Sequence, residues 1–262
     1  MNSTTPRTDS EQYKKKHAFV KSLLTIYGRK PVLEALQDKS ITFYRLHLAE
    51  SNKPQGIIAE IIQAAEARGI EIQYHDKKAL SRISKNSKQD QGVAADMQLQ
   101  RYQSIDQFLS TRQDKPTRLI ALDRITNPQN LGMIIRSVCA GNIDGLLLPQ
   151  KGCAALSPLV IKASTGTLFK TPVIYCDTIE QGLKVFKENG AQICTLSLQA
   201  KKSLFSHQAT GLTIYVLGNE TEGVSPAVAK LADQELIIPM QNNVESLNVA
   251  ITAALIAFND LT

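Results

Sequence analysis

Three polar, glycine-containing segments of this 262-residue chain hold side chains that folding alone does not explain, and each follows a run of strand-forming residues. The first follows Arg118–Leu122 and contains Asp123, Arg124, Asn127, Pro128, Asn130, Gly132 and Arg136. Arg136 lies in a helix otherwise built from Leu131, Met133, Ile134, Ile135 and Val138. A guanidinium cannot shed its charge, so it needs acceptors, and taken alone such an arginine is more often a structural ion-pair partner. The second segment, Gly218 to Pro226, almost scans as a phosphate loop. Val224 stands where the lysine must be, however, and Glu220 and Glu222 occupy the cradle, so a nucleoside triphosphate would be repelled. A small molecule with donors or positive charge fits better; the plainer reading is a glycine turn with Ser225 as N-cap and Pro226 at N1. The third segment runs from Pro239 through Ser246 to Asn248, before an apolar helix expected over Leu247–Asn259. Ser246 or Glu245 can cap that helix, which does not explain Asn248, a poor helix former, two positions further in.

Several chemistries lose their usual signature. No GxGxxG follows a strand, no Ser or Cys sits in a GxSxG elbow, and His17, His47, His75 and His207 are scattered. Cys139, Cys153, Cys176 and Cys194 lie far apart without a CxxC pair, which argues against zinc and against a disulfide framework, and for a reducing cytoplasm. An apolar content of 43% with 21% charged residues is that of a globular chain and excludes collagen, coiled-coil and low-complexity readings. No apolar run approaches the roughly 18 residues that cross a bilayer, and the polar start, Met1 to Ser10, is not the pattern of a secretion signal.

The elements that must position these segments divide into two blocks. An arm over 1–25, flexible and basic, precedes an α/β unit over 26–98, with helical spacing at Lys30–Leu36, Gly56–Arg68 and Ala79–Ile83 and strands at Arg45–Ala49, Glu71–Tyr74 and Gly92–Met97. Residues 99–116 turn polar and are expected to form a linker. Beyond it, strand runs at Arg118–Leu122, Gly145–Leu148, Pro172–Tyr175, Gln192–Ser197, Thr213–Leu217 and Leu236–Ile238 alternate with helices, which predicts a mainly parallel sheet covered on both faces. Ligands of such sheets bind beyond the carboxyl ends of the strands. Charge divides the same way: of 30 Lys+Arg and 24 Asp+Glu, residues 117–262 hold 11 of each, so the whole excess of +6 is N-terminal. It gathers in Lys14–Lys16 and in Lys77, Lys78, Arg82, Lys85 and Lys88, candidates to bind a polyanion such as RNA, although any single run is more often a solvated surface.

Taken together, Asn130-x-Gly132-x-x-x-Arg136, Leu217-Gly218-Asn219-Glu220-x-x-Gly223 and Ile238-Pro239-Met240…Ser246-Leu247-Asn248 resemble the three motifs of the SpoU (TrmH-like) branch of the SPOUT RNA methyltransferases. Thr221 stands where many members have glycine. The resemblance covers residues 118–259, and residues 26–98 are similar to the ribosomal-protein-like substrate-binding domain that many members carry. It implies an α/β fold with a C-terminal trefoil knot over 117–262, a homodimer with the active site near its interface, no metal, and S-adenosylmethionine-dependent methylation of an RNA ribose 2′-hydroxyl. Ribosomal RNA is favoured over transfer RNA because such front domains are common in rRNA-directed members; a non-catalytic RNA-binding assembly factor is the rival reading. By the same resemblance, the backbone around Leu196, Gly218, Ile238, Met240 and Leu247 would hold the cofactor. Arg136 matches the catalytic arginine, Glu220 would orient it or contact the nucleotide, and Asn130, Ser246 and Asn248 would hydrogen-bond the target ribose, its phosphate or neighbouring groups.

Overall fold

The structure is a computed structural model that describes residues 19, 23–39, 41–99 and 101–259. Most of the expected arm over 1–25 lies outside the described residues. The chain divides into two compact units, Met1–Gln100 and Arg101–Thr262.

In the first unit, strands β1 (Leu23–Tyr27), β2 (Thr42–Ala49), β3 (Ile72–His75) and β4 (Val93–Gln98) form a sheet ordered β1-β4-β2-β3. Helices α1 (Arg29–Gln37), α2 (Ile57–Glu66) and α3 (Lys77–Ser84) connect them. Ordered strand begins at Leu23 rather than at the expected Ile26, because Leu23 and Leu24 find antiparallel partners in Gln98 and Met97. The alternation of Leu24 and Ile26, both buried, is too short to be recognised without that distant partner. The α3 helix starts where Asp76 accepts the Ala79 amide, and it ends at Lys85, whose φ of 55° breaks the turn. A half-buried polar line crosses the sheet: Thr25 donates to Asp96 at 2.6 Å, and His47 bonds Asp96 at 3.1 Å and His75 at 3.0 Å. Burial opposes the charge on Asp96, yet the bonds from His47 and Thr25 hold its carboxyl below the ordinary range.

The second unit holds one eight-stranded parallel sheet: β5 (Tyr102–Ser104), β6 (Thr117–Leu122), β7 (Gly145–Pro149), β8 (Val173–Cys176), β9 (Gln192–Leu196), β10 (Lys202–Ser203), β11 (Leu212–Leu217) and β12 (Gln234–Ile237). Their spatial order is β10-β12-β9-β11-β6-β7-β8-β5. Strands β6, β7 and β11 are buried along their whole length, as expected where helices cover both faces. Those helices are α4 (Ile105–Thr111), α5 (Pro128–Ala140), α6 (Pro158–Ala163), α7 (Ile179–Glu188), α8 (Pro226–Ala229) and α9 (Val249–Phe258). The expected linker over 99–116 is corrected by this arrangement. Tyr102–Ser104 pairs in parallel with Val173–Tyr175, and α4 buries Ile105 and Phe108, the latter 5.9 Å from the Phe186 ring. The polarity there is partly capping, since Ser104 and Gln107 close a reciprocal capping box at the α4 start.

Two close approaches hold the helices that carry the first and third segments. Gly132 lets α5 lie against α6, where a Cβ would come within 2.4 Å of the Ala163 Cβ. Arg118, 5% exposed, donates to the carbonyls of Ile256 at 2.7 Å and Asn259 at 2.8 Å, satisfying orphan carbonyls at the α9 C-terminus. Arg118→Ala is therefore expected to release α9. Hydrogen–deuterium exchange should show its amides losing protection by about a hundredfold, on the order of 3 kcal/mol for charged hydrogen bonds lost in the interior.

Candidate active site

The sheet order sets the carboxyl ends of β12, β9 and β11 side by side, and the loops leaving them enclose a cavity of about 250 Å³. Leu196, Gly218, Ile238, Met240 and Leu247, the five positions matched to cofactor binding, all line it, together with Glu220 and Ser246. Apolar walls from Leu196, Ile238, Met240 and Leu247 face polar groups of Asn219, Glu220, Glu245, Ser246 and Thr252. Two carboxylates and no Lys, Arg or His line the cavity. Such a lining repels phosphate and favours a ligand carrying positive charge.

The Gly218–Gly223 loop owes its shape to backbone. Asn219 and Gly223 exchange amide bonds of 3.0 and 2.9 Å, and a Cβ on Gly218 would fall 2.2 Å from the Gly223 carbonyl carbon. Gly223 takes the left-handed conformation, with φ of 68°, whereas Thr221 has no positive φ, so the backbone there does not require the glycine that the resemblance led one to expect. The Asn219 side chain accepts the Thr221 amide at 2.9 Å and donates to the Arg124 carbonyl at 3.3 Å.

An amide chain joins the three polar segments. Asn130 Nδ2 donates to Glu220 Oε1, and Asn248 Nδ2 donates to Asn130 Oδ1 at 3.2 Å. Asn130 is 7% exposed, so these bonds meet both ends of an amide that burial would otherwise penalise. It is placed by Asn127, which caps α5 by accepting the Gln129 amide at 2.8 Å, with Pro128 at N1. Asn248 is itself the N-cap of α9, accepting the Ala250 amide at 2.9 Å. The helix thus begins at Val249 instead of Leu247, and one asparagine both caps it and reaches Asn130. At the other cap the expectation needs correction: Ser225 occupies the N-cap position of α8, but its hydroxyl makes no capping bond, and its amide donates to Asp123.

Two residues received no role from sequence reasoning. Asp123, 2% exposed, holds the Ser225 amide, and Arg124 pairs with Glu222 while donating to the Gly223 carbonyl at 3.2 Å. An acid and a base adjacent at a strand end were the only signal. Glu220 engages Asn130 and not Arg136. Arg136 is exposed on α5 and has no hydrogen bond or ion pair among the described residues, so it is not the structural ion-pair partner that its apolar helix suggested. Six residues past Asn130, it lies roughly 9 Å further along the helix axis, and the structure does not bring it to the amide chain. In the other unit, Lys77, Lys78, Arg82, Lys85 and Lys88 are all exposed on α3 and the loop after it.

Other chemistries find little support. Burial pushes the Cys176 and Cys194 thiols up to about 12, which keeps both protonated and poorly nucleophilic. Among the described residues, no group of three His, Cys, Asp or Glu side chains is placed to hold a metal. No helix there is long and apolar enough to cross a membrane.

Comparison with known proteins agrees with this geometry. Residues 117–258 match the SpoU rRNA methylase family, and residues 25–103 match the RNA 2′-O ribose methyltransferase substrate-binding family. A Mycolicibacterium smegmatis protein described as an uncharacterized tRNA/rRNA methyltransferase is 34% identical over 233 residues, 88% of this chain and 74% of its own. The SpoU methyltransferase AviRb of Streptomyces viridochromogenes, solved in complex with AdoMet, superposes with a TM-score of 0.61 at 21% identity, over 95% of this chain and 92% of that one. An AdoMet-bound rRNA methyltransferase of Sinorhizobium meliloti gives 0.59 at 23% identity, over 94% and 89%. The family match over residues 117–258 and the relative 34% identical over 88% of the chain establish that the chain belongs to the SpoU rRNA methylase family.

Proposed function

We propose that the chain is an S-adenosylmethionine-dependent methyltransferase acting on an RNA ribose 2′-hydroxyl, with Arg101–Thr262 as the catalytic unit and Met1–Gln100 as the substrate-binding unit. The carrying observation is the cavity beyond β9, β11 and β12, which offers apolar walls, exposed backbone and two carboxylates without a cation. That donor set suits an adenosyl group bearing a sulfonium and an amine, and the tight Gly218 turn leaves room for close backbone approach. When bound, S-adenosylmethionine supplies a methyl group made electrophilic by its sulfonium.

The residues of the chain then have positional and electrostatic work. Asn130, held by Glu220 and Asn248, offers a fixed amide edge beside the cavity, and Ser246 at its wall supplies a hydroxyl; together they orient the target ribose for in-line attack. The Arg136 guanidinium stays charged, so it serves as an electrostatic group and not as a base. Without an acceptor among the described residues, it is available to hold the flanking phosphate and to stabilise the alkoxide as it develops, with the proton passing to a phosphate oxygen or water.

A homodimer fits the surface of α9. Its inner side buries Val249, Ala253, Ile256 and Ala257, yet Ile251 and Phe258 remain 53% and 48% exposed, in a stripe with Ala254 and Leu255 at helical spacing. An apolar stripe on a helix that also packs on α5 is a face for a second copy, and α5 carries Arg136. Ribosomal RNA is favoured over transfer RNA by the family matched and by the Sinorhizobium relative, an rRNA methyltransferase. The four free thiols accord with the cytoplasm. A non-catalytic RNA-binding factor would have no need of the intact cavity and amide chain.

Three outcomes are expected with purified protein, total RNA and labelled cofactor. The wild-type chain transfers methyl to a 2′-O-methyl nucleoside in the ribosomal fraction; absence of both transfer and saturable cofactor binding favours the non-catalytic reading. Arg136→Ala lowers transfer by about 100-fold or more while calorimetry finds cofactor affinity within about twofold; comparable turnover removes Arg136 from the mechanism. Ile251→Asp with Phe258→Asp converts the dimer to monomer in light scattering, and an unchanged mass contradicts the interface.

A further inference from the structure

The N-terminal unit contains a second cavity, of about 540 Å³, whose chemistry is the reverse of the catalytic one. Arg29, Lys77 and Lys88 line it with a single acid, Asp90. That acid is 5% exposed and turned into the wall, where it accepts the Ser84 hydroxyl at 2.9 Å and the Gly92 amide at 3.0 Å. The opening is therefore left with an excess of positive charge.

Arg29 is held in place before any ligand arrives. Its amide donates to Gln91 Oε1, its Nε to the Gln91 carbonyl and its Nη2 to Asn52 Oδ1, each at 3.2 Å. Asn52 is itself fixed by donating to the Gly92 carbonyl at 2.7 Å. Gln91 and Gly92 turn through φ of 52° and 76°, and a Cβ on Gly92 would strike the Asn52 amide at 2.7 Å, so this wall is built around a bare backbone. These bonds fix the plane of the guanidinium and leave Nη1 without a partner among the described residues. A planar cation fixed at the edge of a polar cavity suits both base stacking and phosphate contact. The cavity exceeds the needs of a lone phosphate. Lys78, Arg82 and Lys85 continue the positive charge along α3 outside it, which suits a polymer passing beyond the cleft more than a free nucleotide.

We propose that this cleft receives one unpaired nucleotide of the RNA substrate, with Arg29 against its base and Lys77 and Lys88 on the adjoining phosphates. The proposal rests on the reading of the chain as an RNA-acting enzyme. It is tested on the full chain with mixed-sequence single-stranded RNA of about 20 nucleotides carrying 4-thiouridine, crosslinked by light and mapped by mass spectrometry. Crosslinks are expected within 49–52 and 87–92. Arg29→Gln, and Lys77→Gln with Lys88→Gln, should each weaken RNA binding about tenfold, and the double lysine variant should flatten the salt dependence by about 0.7 per lysine. Cofactor affinity should not move. Crosslinks confined to other surfaces, with RNA affinity unchanged in both variants, overturn the proposal; so does displacement of the RNA by micromolar uridine monophosphate, which marks a free-nucleotide site instead. If the cleft crosslinks but the wild-type chain transfers no methyl to total RNA, the enzymatic reading fails and the cleft stands. Methyl transfer without cleft crosslinks overturns the cleft and leaves the enzymatic reading in place.

Discussion

The catalytic unit depends on the buried amide of Asn130. Its two ends are satisfied by Glu220, from the loop after β11, and by Asn248, at the N-cap of α9. A buried amide left half-satisfied would cost about 1–3 kcal/mol, so each segment is held where the other two require it. Several other features serve this junction. Asn127 and Pro128 set the start of α5, Gly132 lets that helix settle on α6, Arg118 secures the far end of α9, and the Asp123–Arg124 corner grips the Gly223 and Ser225 side of the loop that carries Glu220.

The two units divide the electrostatic labour. The cavity of the parallel sheet presents carboxylates without cations, a lining suited to a cationic small molecule. The N-terminal unit carries the excess of positive charge, and its exposed cations on α3 have the character of a surface for a polyanion. The carboxylate-lined cavity and the exposed basic helix thus belong to different units of one chain.

Much of this was legible in the sequence where the signal is local. Continuous apolar runs such as Leu119–Leu122 and Leu146–Leu148 mark strands buried on both faces. What escaped depends on distant partners. Leu23–Tyr27 becomes a strand only beside Val93–Gln98, and Tyr102–Ser104, set in polar sequence, becomes one only beside Val173–Cys176. In the site, motif resemblance pointed to seven of the residues that line the cavity, Leu196, Gly218, Glu220, Ile238, Met240, Ser246 and Leu247. The bonds that organise them span 90 residues from Asn130 to Glu220 and 118 from Asn130 to Asn248, beyond any local pattern. Arg136 shows the converse: its helix suggested an internal ion pair, and the structure leaves it exposed.

Nucleoside mass spectrometry of ribosomal and transfer RNA from cells with and without the gene decides whether this fold methylates a ribose of RNA. One 2′-O-methyl nucleoside in ribosomal RNA is expected to be lost with the gene and restored by the wild-type chain but not by the Arg136→Ala chain. Identical 2′-O-methyl content in both RNA classes, with and without the gene, would rule out ribose methylation by this chain.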